Sequence, residues 1–91
     1  MKSKRSRLEV IFDILSIVKK HHQIKKTPLL RFSNLSYENF NNYYEELLEK
    51  EFVIEEVDSK NKMSISLSSK GHEFLTKFKD IQKFLKEFEL D

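Results

Sequence analysis

The sequence predicts a mainly α-helical domain that carries one small β-hairpin and ends in a long amphipathic helix. Apolar residues recur every three or four positions over residues 6–22, 36–50 and 69–90, which is the spacing of one helix face. Between residues 52 and 67 the apolar period shortens to two, which is typical of strands. A chain of 91 residues has room for one core, so we expect residues 1–91 to form a single domain.

The first helix is predicted over residues 6–22. Its apolar stripe is wide, which is typical of a helix at the centre of a core. Ser6 precedes the stripe and Glu9 follows three residues later, so the two side chains have the spacing of a capping box. The stripe consists of Leu8, Val10, Ile11, Phe12, Ile14, Leu15, Ile17 and Val18.

A short second helix is predicted over residues 28–33. Thr27 followed by Pro28 is a typical helix start, with Thr as the capping residue and Pro at the first helical position. Asn34 follows the helix and tolerates the left-handed backbone that a tight turn requires. We therefore expect the chain to turn sharply at Asn34.

The third helix is predicted over residues 36–50, with Ser36 as its cap. A short helix, a tight turn and a second helix together form a helix-turn-helix. This third helix is then the candidate recognition helix. Four of its apolar side chains are predicted to point inward: Phe40, Tyr44, Leu47 and Leu48.

A β-hairpin is predicted over residues 52–67. Met63, Ile65 and Leu67 alternate with serines, and the polar residues 58–61 supply the turn before them. A hairpin directly after a helix-turn-helix is a wing. The element order therefore predicts a winged helix-turn-helix.

The last helix is predicted over residues 69–90, with Ser68 or Ser69 as its cap and Gly71 in its first turn. Its apolar residues have heptad spacing. A helix of twenty residues is about 30 Å long, close to the diameter of a small domain, so its far half has little of its own domain to pack on. This row of apolar residues, the heptad seam, either covers only the core of its own domain or, as we favour, packs against the same helix of a second copy of the chain. The predicted homodimer interface is Phe74, Phe78, Ile81, Phe84, Leu85 and Phe88.

Charge is distributed unevenly along the chain. Residues 1–36 carry nine Lys and Arg against two acids, a net charge of +7, whereas residues 37–91 carry eight against thirteen, a net charge of −5. A basic segment of this kind is typical of a surface that binds a polyanion, although ordinary solvated charge gives the same pattern. Four of the cations open the chain and form either an arm that follows DNA or a frayed end. They are Lys2, Lys4, Arg5 and Arg7.

The composition argues against several classes of protein. There is no Cys, which removes disulfides and Cys-ligated zinc. His21, His22 and His72 lack metal-ligand spacing, and a chain with one Gly has no phosphate-binding loop, so we predict no metal, no cofactor and no small-molecule ligand. No acid pairs with a recognisable nucleophile or base, which argues against an enzyme. No apolar run spans a bilayer and the first residues make a poor signal peptide, so we expect a cytoplasmic, nucleoid-associated protein without membrane contact.

Several segments, in their order and spacing, match the pattern of one known group. They are Lys26-Thr27, Asn34-Leu35-Ser36-Tyr37, Leu47-Leu48-Glu49-Lys50, Ile54, Lys70-Gly71-His72-Glu73-Phe74-Leu75 and the amphipathic tail. Over nearly its whole length the chain resembles the small archaeal winged-helix regulators that dimerise through a C-terminal antiparallel coiled coil. This resemblance implies double-stranded DNA as a partner, bound by a homodimer in a transcriptional or chromatin-organising role. The sequence departs from the family pattern at Glu51, where glycine is usual between the recognition helix and the wing.

We predict DNA contacts on the short helix, on the first turns of the third helix and at the tip of the wing. In helix-turn-helix geometry the start of the third helix faces the groove and the short helix crosses the phosphate backbone. Asn side chains can pair with adenine edges, and cations contact phosphates. A solvated polar face is the alternative interpretation. The predicted contacts are Lys25, Lys26, Arg31, Asn34, Ser36, Tyr37, Asn39, Asn41, Asn42, Lys60 and Lys62.

A second interpretation uses the same scaffold without DNA. Several glutamates follow the start of the third helix, and carboxylates repel phosphate. The chain would then be a protein-interaction module whose acidic helix and strand form the contact. The residues concerned are Glu45, Glu46, Glu49, Glu51, Glu55 and Glu56.

Overall fold

The computed structural model describes residues 5–90, which form four α-helices and a three-stranded antiparallel sheet. Lys2 and Lys4 of the candidate arm lie outside these residues. Among residues 5–90, no helix combines the length and apolar character needed to cross a bilayer. In chain order the elements are α1 (Arg7–His21), β1 (Gln23–Ile24), α2 (Lys26–Ser33), α3 (Tyr37–Glu49), β2 (Val53–Val57), β3 (Met63–Leu67) and α4 (Ser69–Glu87).

Helix α1 lies at the centre of the core and begins with a capping box. The Ser6 hydroxyl accepts a hydrogen bond from the backbone N–H of Glu9 at 3.1 Å, and the Glu9 carboxylate accepts one from the backbone N–H of Ser6 at 2.8 Å. Leu8, which the sequence places in the inward stripe, is exposed instead. The buried residues of α1 are Val10, Ile11, Ile14, Leu15 and Val18.

The other elements close around α1 with one or a few buried side chains each. Leu48, which the sequence predicts to point inward, is only half-buried because it lies on the flank of α3. The core residues outside α1 are Ile24, Leu29, Phe40, Tyr44, Leu47, Val53, Ile65 and Leu75.

Helix α2 begins two residues earlier than the sequence predicts, and Thr27 is not its cap. Lys25 occupies the capping position with an extended backbone and no side-chain hydrogen bond to the helix. The Lys25 carbonyl accepts the first helical hydrogen bond, from the backbone N–H of Leu29 at 3.1 Å. Pro28 therefore stands third in the helix, where the missing N–H costs nothing because the first-turn N–H groups have no intrahelical acceptor. A proline therefore indicates the first turn of a helix but does not show which position of that turn it occupies.

The sheet contains one more strand than the predicted hairpin. Strand β3 lies in the middle, with β2 paired along its whole length on one side and β1 on the other. In β1, Gln23 lies opposite Ser66 and Ile24 lies opposite Ile65. The short strand thereby brings the buried Ile24 side chain onto the core at the point where α1 ends.

Helix α4 starts in close contact with the sheet. The Ser68 hydroxyl caps it by accepting a hydrogen bond from the backbone N–H of Gly71 at 2.9 Å. A Cβ atom on Gly71 would lie 2.3 Å from the Phe52 carbonyl oxygen and 2.8 Å from Leu67 Cδ1. Both distances are shorter than van der Waals contact, so the close approach of helix and sheet requires glycine at this position.

The two halves of α4 have different surroundings. In the near half, the ring centroids of Phe74 and Phe52 are 5.4 Å apart, and those of Phe78 and Phe12 are 4.9 Å apart. The far half runs beside the start of α1, where Ile81 and Leu85 share a groove with Leu8, and the longest dimension of the molecule is 50 Å. The exposed apolar side chains at this end are Ile81, Phe84, Phe88 and Leu90.

Candidate nucleic-acid interface

The turn between α2 and α3 presents the start of α3 to solvent. Asn34 ends α2 with the left-handed backbone predicted for it, at φ 61° and ψ 30°. The Ser36 hydroxyl caps α3 by accepting a hydrogen bond from the backbone N–H of Asn39 at 3.2 Å. Tyr37, the first residue of the helix, is 69% exposed. An accessible helix N-terminus of this kind favours a phosphate group, because its N–H groups and its dipole both attract an anion.

The outermost face of α3 is acidic apart from one amide. Glu38, Asn42, Glu45 and Glu49 are separated by four, three and four positions, so they share one face of the helix, and all four are exposed. Carboxylates repel phosphate. Along α3 a polyanion is therefore repelled least at Asn42 and the neighbouring Asn39, which are exposed between Glu38 and Glu45.

Asn41 does not point outward as the sequence predicts. The residue is half-buried, and its Oδ1 atom is buried without a hydrogen-bond partner among residues 5–90. Asn41 lies two helical turns before Leu48, which is also half-buried. The inward face of α3 is therefore wider on this flank than its most apolar residues indicate, and the Asn41 amide oxygen is not accessible to a base edge.

A chain of contacts through Tyr44 joins α2, α3 and β2. The Lys26 ammonium lies 4.9 Å from the centre of the Tyr44 ring, which is cation–π geometry. The Tyr44 hydroxyl donates a hydrogen bond to Glu55 Oε2 at 2.5 Å. Burial raises the pKa of the Tyr44 hydroxyl well above its usual range, and the hydrogen bond and charge of Glu55 raise it further, so the hydroxyl remains a donor. Lys26, a predicted phosphate contact, is thus already engaged within the domain.

The tip of the wing is organised by Asp58. Its Oδ1 atom accepts hydrogen bonds from the backbone N–H groups of Lys60 and Lys62, both at 2.9 Å. The bond from Lys62 is the main cause that lowers the pKa of the Asp58 carboxyl, and the bond from Lys60 and the charge of Lys25 act in the same direction. The side chains of Lys60 and Lys62 are left exposed at the tip.

The two other predicted phosphate contacts on α2 lie at its ends. Lys25 is exposed at the start of the helix and lines a surface groove with Glu56 and Asp58 of the wing. Arg31 is exposed in the last turn, where a cation interacts favourably with the helix C-terminus. Lys25 therefore lies beside the wing, whose tip carries Lys60 and Lys62, and Arg31 lies at the other end of α2.

Arg5 and Arg7 fold back onto the domain. Arg5 Nη1 pairs with Asp13 Oδ2 at 2.8 Å, and Arg5 Nη2 donates to the Ser33 carbonyl oxygen at 2.9 Å. Arg7 forms an ion pair with Glu46 of α3. Of the four cations in the candidate arm, these two are parts of the folded domain.

Arg7 lies beside the exposed amides of α3. A shallow surface groove between the start of α1 and α3 is lined by Arg7, Asn39, Asn42, Tyr43 and Glu46. From the sequence, Arg7 belonged either to an arm or to a frayed end, and nothing placed it near α3. The capping box at Ser6 was the sequence signal that Arg7 belongs to the folded domain, because it makes Arg7 the first residue of a fixed helix.

Comparison with known families gives a match over most of the chain. A family model described as winged helix-turn-helix matches residues 4–86. Two uncharacterised proteins of Methanocaldococcus jannaschii are also similar. One is 40% identical over 68 residues, which are 75% of this chain and 64% of that protein. The other is 32% identical over 82 residues, which are 90% of this chain and 36% of that protein, so the chain spans less than two thirds of either relative.

Solved structures with the same architecture include two proteins of distant sequence. Sso10a-2, a DNA-binding protein from Sulfolobus solfataricus, superposes with a TM-score of 0.74 at 16% identity, covering 93% of this chain and 86% of that one. A MarR-family transcriptional regulator from Silicibacter pomeroyi gives a TM-score of 0.64 at 16% identity, covering 75% and 47%. At this identity the similarity establishes a shared winged-helix fold.

Proposed function

This chain belongs to the winged helix-turn-helix family, and from that membership we propose that it binds duplex DNA as a homodimer and acts as a transcriptional or chromatin-organising regulator. The observation that carries the proposal is the exposed, Ser36-capped start of α3, with Asn39 and Asn42 beside it. Helix-turn-helix proteins place this part of the recognition helix against base edges. The Sulfolobus solfataricus protein of the same fold is described as DNA-binding, which supports the proposal.

In this proposal, different kinds of side chain contact the bases and the phosphates of the DNA. Base edges are read by Asn39 and Asn42, because an amide can form a bidentate pair with adenine. Phosphates are bound by exposed cations around them, which fix the position of the protein without reading sequence. The proposed phosphate contacts are Lys25, Arg31, Lys60 and Lys62, with Lys26, Asn34, Ser36 and Tyr37 bordering the same surface.

The homodimer is proposed to form through the far half of α4. Ile81, Phe84 and Phe88 are more than half exposed. A row of exposed apolar side chains of this kind usually marks a surface that another protein covers. Leu85 is half-buried in a groove that also includes Leu8 and Ile81, between the start of α1 and α4. The heptad spacing suits a second helix packed against this surface. Phe74 and Phe78 form the inner end of the proposed interface, where they also contact the core of their own chain.

A salt titration of DNA binding tests the first part of the proposal. Binding of a labelled duplex is measured by fluorescence anisotropy over a range of salt concentrations. Each neutralised phosphate contributes about −0.9 to the slope of log affinity against log salt. We expect a steep negative slope. Failure to bind duplex DNA at low salt would overturn the proposal.

Sedimentation tests the dimer. The substitutions Ile81→Asp and Leu85→Asp place charges in the proposed seam, where desolvation is unfavourable. We expect the double variant to sediment as a monomer. Lys83→Asp, between the two substituted positions but on the face of the helix opposite the heptad seam, is the control and should leave the dimer intact. A double variant that remains a dimer contradicts the proposed interface.

The acidic outer face of α3 favours a second candidate function. Glu45 and Glu49 are exposed there, Glu55 of β2 adjoins α3 through its hydrogen bond with Tyr44, and Glu56 is exposed on the other face of the strand. A basic surface of another protein would complement this region electrostatically. Under this candidate the wild-type chain shows no salt-dependent affinity for duplex DNA, so the same titration separates the two functions.

A further inference from the structure

We infer that Arg7 is a phosphate ligand of the bound DNA and that Glu46 controls its availability by holding the guanidinium when DNA is absent. The inference rests on the proposed DNA binding and adds a residue outside the predicted contact set. It also assigns a function to an acid on the recognition helix, where acids otherwise oppose DNA binding.

Arg7 lies beside the residues proposed to read bases. Its side chain lines the same groove as Asn39 and Asn42, which are the exposed amides of the recognition helix. A cation beside the base-reading residues lies where the phosphate backbone passes when a helix enters the groove. The Arg7 side chain is 58% exposed, so its guanidinium is accessible from solvent.

The location of Arg7 within α1 is unfavourable for a cation. Arg7 is the first residue of the helix, where the helix dipole is positive and a cation is unfavourable. The residue therefore does not stabilise α1 through the helix dipole. The charge that pairs with Arg7 comes from Glu46 of a different helix.

Glu46 is shared between two cations. Its carboxylate pairs with Arg7 and also lies 3.6 Å from the Lys50 ammonium, one helical turn further along α3. The Glu46 side chain is 20% exposed, less than its two cationic partners at 58% and 49%. When Arg7 turns to a phosphate, Glu46 keeps Lys50 as a partner. Exposed ion pairs contribute little to stability, so exchanging Glu46 for a phosphate requires little energy.

A double-mutant cycle tests this inference. Wild type, Arg7→Gln, Glu46→Gln and the double variant are titrated with the same labelled duplex at several salt concentrations, after circular dichroism has established that each is folded. We expect Arg7→Gln to weaken binding and to reduce the absolute salt slope by about 1.8, the value for two phosphates, because each protomer of the proposed homodimer loses one contact. We expect Glu46→Gln to tighten binding, because it releases Arg7.

The cycle also separates a phosphate ligand from a residue that merely neutralises Glu46. If Arg7 binds phosphate, the loss caused by Arg7→Gln is several-fold larger in the Glu46→Gln background than in the wild-type background. If Arg7 only masks the carboxylate, the loss disappears when the carboxylate is absent, which overturns the inference. Additive effects also overturn it.

A control variant accounts for the change in net charge. Lys77 lies on α4 and pairs with Glu73, so Lys77→Gln removes one cation away from the groove. Arg7→Gln must weaken binding more than Lys77→Gln, and equal effects contradict the role of Arg7. If the wild-type chain does not bind duplex DNA, the proposed function fails together with this inference. If it binds but the cycle fails, only the inference is wrong.

Discussion

The hydroxyl of Tyr44 donates a hydrogen bond to the carboxylate of Glu55, so one side chain of helix α3 is tied directly to β2, the first strand of the wing. The Tyr44 ring itself is buried in the core, and Lys26 lies over its face. The relative position of helix and wing is therefore coupled to the packing of the core.

Tyr44→Phe should lower the free energy of unfolding by about 1 kcal/mol. The ring keeps its packing and Glu55 is exposed enough to be hydrated, so only the hydrogen bond is lost. Urea denaturation measures the change. Tyr37→Phe is the matched control, because its side chain is 69% exposed, and it should change stability by less than about 0.5 kcal/mol. Equal losses in both variants would show that the bond to Glu55 contributes nothing.

Acidification should disorder the tip of the wing through Asp58. Its pKa is lowered in the folded state, so the stabilisation is complete above the unfolded value of 3.8 and is lost as the pH falls through the lower folded value. Amide chemical shifts of Lys60 and Lys62 should therefore titrate with a midpoint below 3.8. Asp58→Asn retains an acceptor but no titrating group, and should abolish the transition. A midpoint at or above the unfolded value contradicts this account.

Gly71→Ala should destabilise the fold by about 1–3 kcal/mol, because the new methyl group overlaps the Phe52 carbonyl and forces α4 away from the sheet. Ser69→Ala changes an exposed position in the same helical turn and serves as the control. Chemical denaturation should show a clear loss for the first variant and little change for the second. A neutral Gly71→Ala would mean that the helix can move without cost.

Glu51→Gly should stabilise the chain by about 0.5–1 kcal/mol. Glu51 has a left-handed backbone with φ 63°, which is unfavourable for a residue with a Cβ atom and which glycine adopts readily. The melting temperature should rise by several degrees in a domain of this size. Glu49→Gly, inside the last turn of α3, should instead lower it, because glycine is unfavourable within a helix. If both variants are destabilised, backbone strain at Glu51 is negligible.

Within the proposed DNA interface, Arg31→Glu and Asn42→Ala should have different signatures. A phosphate contact carries no sequence information, so Arg31→Glu should weaken binding to all duplexes alike. Loss of an amide that pairs with a base should reduce discrimination between sequences by about 1–3 kcal/mol. Competition between duplexes of different sequence measures both effects. Unchanged preference in Asn42→Ala would place sequence recognition elsewhere on the surface.

Features set by short-range chemistry were accessible from the sequence. The capping box of Ser6 and Glu9, the left-handed turn at Asn34 and the cap at Ser36 each depend on residues a few positions apart. The winged-helix architecture followed from the order of these elements. The start of α2 was wrong because proline fits several positions of a first turn.

Features set by distant parts of the chain were not accessible. Strand β1 has only two residues, too few to show a period, and it becomes a strand by pairing with Ser66 and Ile65. Asn41 is polar and was predicted to be outward, but packing around α3 buries its oxygen. The Arg7–Glu46 pair joins residues 39 positions apart, a distance at which charge in the sequence does not identify partners.

The position of β2 at the outside of the three-stranded sheet has a consequence for solubility. An edge strand offers its backbone to other chains, and Ile54 and Val57 add exposed apolar side chains to that edge. Glu55 and Glu56 stand between them, so a second copy aligned along β2 would bring like charges into register. The strand thereby disfavours intermolecular sheet extension and aggregation from the wing.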